Sequence, residues 1–77
     1  MASATNQDKY VRYALTTQLR LALARDDYHE VNEALRALIG DADASRDEDY
    51  VYESDFLSDI DESRVDQELL SRYAELT

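Results

Sequence analysis

The chain has no cysteine, no proline and no tryptophan, and it carries one glycine, one histidine and one methionine in 77 residues. Without cysteine, neither a disulfide framework nor a thiolate metal centre can form. A single glycine leaves no Gly-rich loop to cradle phosphates. The lone histidine, His29, stands beside Glu30 at the start of a helical segment, where an exposed or hydrogen-bonded role fits better than catalysis. No apolar run approaches the roughly 20 residues needed to span a bilayer, and the N-terminal MASATNQDK lacks the charged and apolar regions of a secretion signal. Carboxylates are abundant, but acid–base catalysis needs a cleft that moves one of them off its ordinary pKa, and so short a chain has little room for one. The expectation is a soluble, cytoplasmic, non-enzymatic protein with no cofactor and no metal.

What is present is charge of one sign, unevenly placed. Hydrophobic residues make up 44% of the chain and six are tyrosines, so it is not composed like a disordered segment. The net charge is −10. Residues 1–39 balance Lys9, Arg12, Arg20, Arg25 and Arg36 against Asp8, Asp26, Asp27, Glu30 and Glu33. Residues 40–77 set Arg46, Arg64 and Arg72 against thirteen acids, so the whole imbalance lies there. Such a surface repels nucleic acid and anionic lipid and attracts basic proteins or cations. A chain of this length makes one domain, 1–77, with a small core, which makes stabilisation by a second copy or another partner reasonable.

Periodicity predicts helices. Val11, Ala14, Leu15, Gln18, Leu19, Ala22 and Leu23 recur at three- and four-residue spacing over a helix of about 6–24. Tyr10, Tyr13 and Leu21 widen that stripe, which predicts contact on more than one side and a face able to form a homodimer. Arg25-Asp26-Asp27 breaks the pattern, and Asp27 with Glu30 has capping-box spacing. Tyr28, Val31, Leu35, Leu38 and Ile39 then mark a second helix of about 27–39, with Gly40 expected to end it in a left-handed residue. The short break makes the pair (6–39) an antiparallel hairpin. Tyr52, Phe56 and Ile60 suggest a short helix capped by Ser54. Val65, Leu69, Tyr73 and Leu76 suggest a last helix of about 63–76 with Ser63 as its cap. The fold class is all-α: a small helical bundle made of a hairpin, an acidic segment at 41–62 and a C-terminal helix.

The segment ARDDYHEVNEAL, with Tyr28 opening the second helix, resembles one hairpin of a tetratricopeptide-type repeat. Only one unit is present and the small-residue pattern is incomplete, so a generic helix pair is the reading adopted.

The acidic segment carries the functional expectation. Asp41, Asp43, Asp47, Glu48, Asp49, Glu53, Asp55, Asp59, Asp61 and Glu62 are ten carboxylates in 22 residues, against Arg46 alone. Calcium is one reading: Asp41-x-Asp43-x-Ser45 and Asp59-x-Asp61-x-Ser63 both open like an EF-hand loop. Both then place arginine (Arg46, Arg64) where the loop needs glycine, and Tyr52 or Leu70 where a bidentate glutamate should close the cage. A purely solvated face is a second reading, but it leaves the neutral first half unexplained. The third is a surface complementary to a basic protein. If helical and straight, 22 residues span about 33 Å, and ten carboxylates then approach the ~3.4 Å charge spacing of a DNA strand. Asp43/Asp47, Asp49/Glu53 and Asp55/Asp59 would be like charges at i,i+4, each costing a few tenths of a kcal/mol that a cationic partner could offset.

Among the interleaved aromatics, Phe56 and Ile60 are expected in the core, whereas Tyr50 and Tyr52 are the interface candidates. The expected partner is therefore a basic, nucleic-acid-binding protein bound stoichiometrically through Asp41–Glu62, with no direct nucleic-acid contact. Small phage or mobile-element inhibitors of the anti-CRISPR or anti-restriction kind share this size and charge, as an analogy of class only. The alternative expectation is a structural or adaptor subunit whose acidic face stays in solvent.

Overall fold

Helix α1 (Ala2–Ala24) is followed by α2 (Tyr28–Ser45), two 3-10 turns at Asp55–Asp59 and Glu62–Arg64, and α3 (Gln67–Leu76). This computed structural model describes the backbone of residues 2–45 and 52–77 and the side chains of 10–44 and 52–77. The fold is small and all-α, with no strand among the described residues. Helices α1 and α2 pack as a hairpin, and α3 lies against α2.

The hairpin turns where Arg25-Asp26-Asp27 breaks the apolar pattern. The Asp27 amide donates to the Ala22 carbonyl (2.9 Å) and the Asp26 amide to that of Leu23 (3.1 Å), while Asp26 takes φ 59°. These are the paired bonds of a Schellman ending, with aspartate in the left-handed position usually held by glycine. Aspartate tolerates that region better than most side chains. Asp27 then caps α2 by accepting the Glu30 amide on Oδ1 at 3.3 Å, as its spacing with Glu30 predicts.

The expected helix end at Gly40 is wrong. Helix α2 runs through it to Ser45, and Gly40 has no positive φ. Tertiary contacts beyond the glycine overcome its low helix propensity: Ala42 packs on the core and Asp41 meets Arg12 from α1. A Cβ at position 40 would meet nothing within 4 Å. Gly40→Ala is therefore expected to stabilise the protein by about 0.5–1 kcal/mol, read as a higher melting temperature with an unchanged circular dichroism spectrum.

The core joins both halves of the chain. Leu19 and Ala22 of α1, Val31, Ala34, Leu35, Leu38 and Ile39 of α2, Tyr52, Phe56, Ile60 and Val65 from the connecting segment, and Tyr73 of α3 are buried together. On α1 the expected stripe is correct only in part. Leu15, Leu19, Ala22 and Leu23 face inward, but Ala14 is exposed and Val11 is 47% exposed, and Arg12 and Thr16 take the inward positions instead. Arginine can turn inward there because Asp41 supplies a carboxylate, and Thr16 returns its hydroxyl to the Arg12 carbonyl at 2.8 Å. The last helix begins at Gln67 rather than 63. Asp66, not Ser63, caps it by accepting the Glu68 amide at 3.0 Å. The element after Tyr52 is present as a 3-10 turn, and Ser54 stands at its cap without a side-chain bond.

Candidate functional site

The acidic segment does not form one straight helix. Asp41 to Ser45 complete α2, whereas Tyr52 to Ser54 are non-helical and lead into the 3-10 turn at Asp55–Asp59. The straight, evenly charged helix expected of 41–62 is therefore interrupted among the described residues at 52–54. Asp47, Glu48, Asp49 and Tyr50, with two of the three i,i+4 pairs, lie outside the described residues.

Tyr52 is not an interface residue. It is buried, and its ring meets Tyr73 edge-on at 6.1 Å between centroids. Phe56 and Ile60 are buried as expected, with Phe56 5.8 Å from the Tyr73 ring. The Tyr73 hydroxyl donates to the Glu53 carbonyl at 2.7 Å, so one α3 side chain holds the start of the connecting segment by both packing and a hydrogen bond.

Several candidate carboxylates are already engaged by arginines of the same chain. Asp41 Oδ2 lies 2.7 Å from Nε of the fully buried Arg12. Arg20 bridges Glu53 and Asp55, the latter at 2.9 Å, with its guanidinium 5.4 Å from the Phe56 ring centroid. Asp43 meets Arg72 at 3.3 Å. The Asp41/Asp43 spacing noted for calcium sits on a helix, where residues two apart point about 200° from each other, and each faces a different arginine. Among the described residues no group of three or more His, Cys, Asp or Glu side chains could hold a metal ion.

The second half of the segment is fastened to the hairpin by contacts that residue spacing did not foretell. Asp61 accepts both the amide and the hydroxyl of Ser63, at 3.1 and 2.7 Å. Those bonds, the hydroxyl first, hold its carboxyl below the usual aspartate range. Its contribution to stability is thus present above the ordinary aspartate pKa and is lost as the pH falls through the lowered folded value. The Asp61 amide donates to the Tyr28 hydroxyl (3.0 Å), and the Arg64 guanidinium lies 4.1 Å from the Tyr28 ring centroid while reaching Asp26 at 2.8 Å. Hydrogen bonding to Glu53 and to Asp26 raises the pKa of Arg20 and Arg64 respectively. Asn32, half-buried on α2, accepts the Asp66 amide at 2.8 Å and donates to the carbonyls of Tyr28 (2.6 Å) and Arg64 (3.4 Å). No periodicity could reveal that role, because two of its three partners, Arg64 and Asp66, lie more than thirty residues away.

Every arginine with a described side chain faces a carboxylate: Arg12, Arg20, Arg64 and Arg72 as above, Arg36 with Glu33 (3.1 Å), and Arg25 with Glu30 (4.0 Å). What remains is a surplus of exposed acid. Asp59 and Glu62 belong to the expected site; Glu68 and Glu75 of α3 do not, although the charge count of residues 40–77 already contained them. Among the described residues none of these four has an ion pair. Beside Glu62 runs a shallow groove lined by Gln67, Leu70, Ser71 and Ala74. Carboxylate next to apolar carbon suits a lysine or arginine, whose stem and head want different surroundings.

The fold and this surface define a small all-α protein with a helical-hairpin scaffold and an acidic, self-fastened second half. No helix of the described residues is long and apolar enough to cross a membrane. No protein-family model matches the chain, and neither a curated protein nor a solved structure matches it.

Proposed function

We propose that the protein is a non-enzymatic, stoichiometric binder of a basic, nucleic-acid-binding protein, competing with DNA or RNA for the same groove. The observation that supports this most is the engagement of every described arginine by a carboxylate of the same chain. With all six described arginines engaged, the carboxylates Asp59, Glu62, Glu68 and Glu75 have no cation of the same chain opposite them among the described residues. Lysine or arginine from another protein would relieve that repulsion and displace solvent counterions. Support now comes from charge surplus on a folded surface rather than from strand-like spacing. An inhibitor of the phage or mobile-element type, anti-CRISPR or anti-restriction, is the biological setting that size and charge suggest by analogy. A structural or adaptor subunit is the second reading, favoured by the exposed apolar residues Tyr10, Val11, Tyr13 and Leu21 of α1.

The paired reversal Asp59→Lys/Glu62→Lys separates the two. Both side chains are exposed, so the fold should survive, as judged by circular dichroism. Binding of the basic protein is expected to weaken at least tenfold, measured by calorimetry or pull-down. Unchanged binding would favour the adaptor reading instead.

A further inference from the structure

Helix α1 is apolar on two opposite sides. One, with Leu15, Leu19 and Ala22, is covered by the rest of the chain. At 3.6 residues per turn, Tyr10, Tyr13, Ala14, Thr17, Leu21 and Ala24 fall within about 100° of arc on the other. All six are exposed, Tyr10 at 74%, Tyr13 at 72% and Leu21 at 51%. Beside them lies a shallow groove lined by Tyr13, Ala14, Thr17, Gln18, Leu21 and Arg25, with Glu30 of α2 at its edge. A helix stripe of this width normally faces another packed element.

We propose that a second copy of this chain covers it, with α1 packed antiparallel on α1 across a two-fold axis. Charge selects that occupant. Residues 1–39 balance five bases against five acids, while the surplus of −10 lies entirely in 40–77. Two such chains meeting through their second halves would oppose like charges. Meeting through the outer face of α1, they bring neutral surface together and keep the acidic halves apart.

The order of side chains fits a two-fold as well. Tyr10, Ala14, Thr17 and Leu21 read large, small, small, large about a midpoint between residues 15 and 16. An antiparallel partner centred there sets Tyr10 against the partner's Leu21 and Ala14 against the partner's Thr17. Such a contact is isologous and closes at two copies. The small central residues allow helix axes to approach to about 8 Å. The two exposed tyrosines, each offering on the order of 150 Å², supply about 600 Å² over two copies. Leu21 and the smaller side chains Ala14, Thr17 and Ala24 carry the total toward the roughly 1,000 Å² that a specific interface needs.

Sedimentation equilibrium of the full chain across the micromolar range tests this. The expected mass is twice 8.9 kDa, with the single substitutions Leu21→Glu and Tyr13→Glu each weakening association at least tenfold while retaining the helical circular dichroism signal. Should Leu21→Glu unfold, Tyr13→Glu decides alone, since its side chain is the more exposed of the two. A wild-type chain that sediments at 8.9 kDa throughout, or a folded Tyr13→Glu variant that associates as tightly as wild type, overturns the proposal.

Discussion

Asp41→Ala is expected to cost about 3 kcal/mol, the upper end for removing the acceptor of a buried, charged hydrogen bond. Arg12 is fully buried, and Asp41 Oδ2 receives its Nε at 2.7 Å. Taking the carboxylate away removes the acceptor of the Arg12 Nε between α1 and α2. A domain of this length has a total stability of only roughly 4–12 kcal/mol, so much of it would be lost. Asp41→Asn, which still accepts a hydrogen bond, should lose less. Urea denaturation read by circular dichroism gives both numbers. A loss below about 1 kcal/mol for the alanine variant would mean that the pair behaves like an exposed one.

Tyr73→Ala should be comparably severe, about 3–5 kcal/mol, because it removes a fully buried aromatic and leaves a cavity between Tyr52 and Phe56. Tyr73→Phe keeps the ring and loses the hydrogen bond to the Glu53 carbonyl, for about 1 kcal/mol. The gap between the two variants measures how firmly the acidic segment is packed on the scaffold. Hydrogen exchange should show the damage first at Ile60 and Arg64, whose amides close the 3-10 turns by donating to Leu57 and Asp61. If both variants cost the same small amount, the segment after Tyr52 behaves as a tail and not as part of the core.

Local signals carried the helices well. The three- and four-residue spacing of Val31, Leu35, Leu38 and Ile39 places α2's inner face correctly, and Asp27 caps that helix as its spacing with Glu30 predicts. Non-local contacts explain the failures. Gly40 reads as a stop in isolation, yet Ala42 and the Asp41–Arg12 pair draw the helix past it. Arg12 is missing from the expected apolar stripe, and the Asp41 carboxylate it meets is 29 residues away. Tyr52 reads as an interface residue because it sits among acids, but Tyr73, on a different helix, makes it core. The candidate site was legible as a net charge and not as a geometry. Which carboxylates would be neutralised by Arg20, Arg64 and Arg72 depends on how the second half folds back on the hairpin, and residue spacing alone contains no record of that.

Capture of proteins from a nuclease-treated lysate on the immobilised full chain, followed by elution in rising salt, tests the acidic binding face most directly. The expected result is retention of a basic, nucleic-acid-binding protein that is released progressively between about 50 and about 500 mM salt, as the Debye length shrinks about threefold, and whose binding to DNA or RNA is abolished by one equivalent of this chain. Retention that is flat across that range, or a captured protein that still binds nucleic acid with the chain attached, contradicts it.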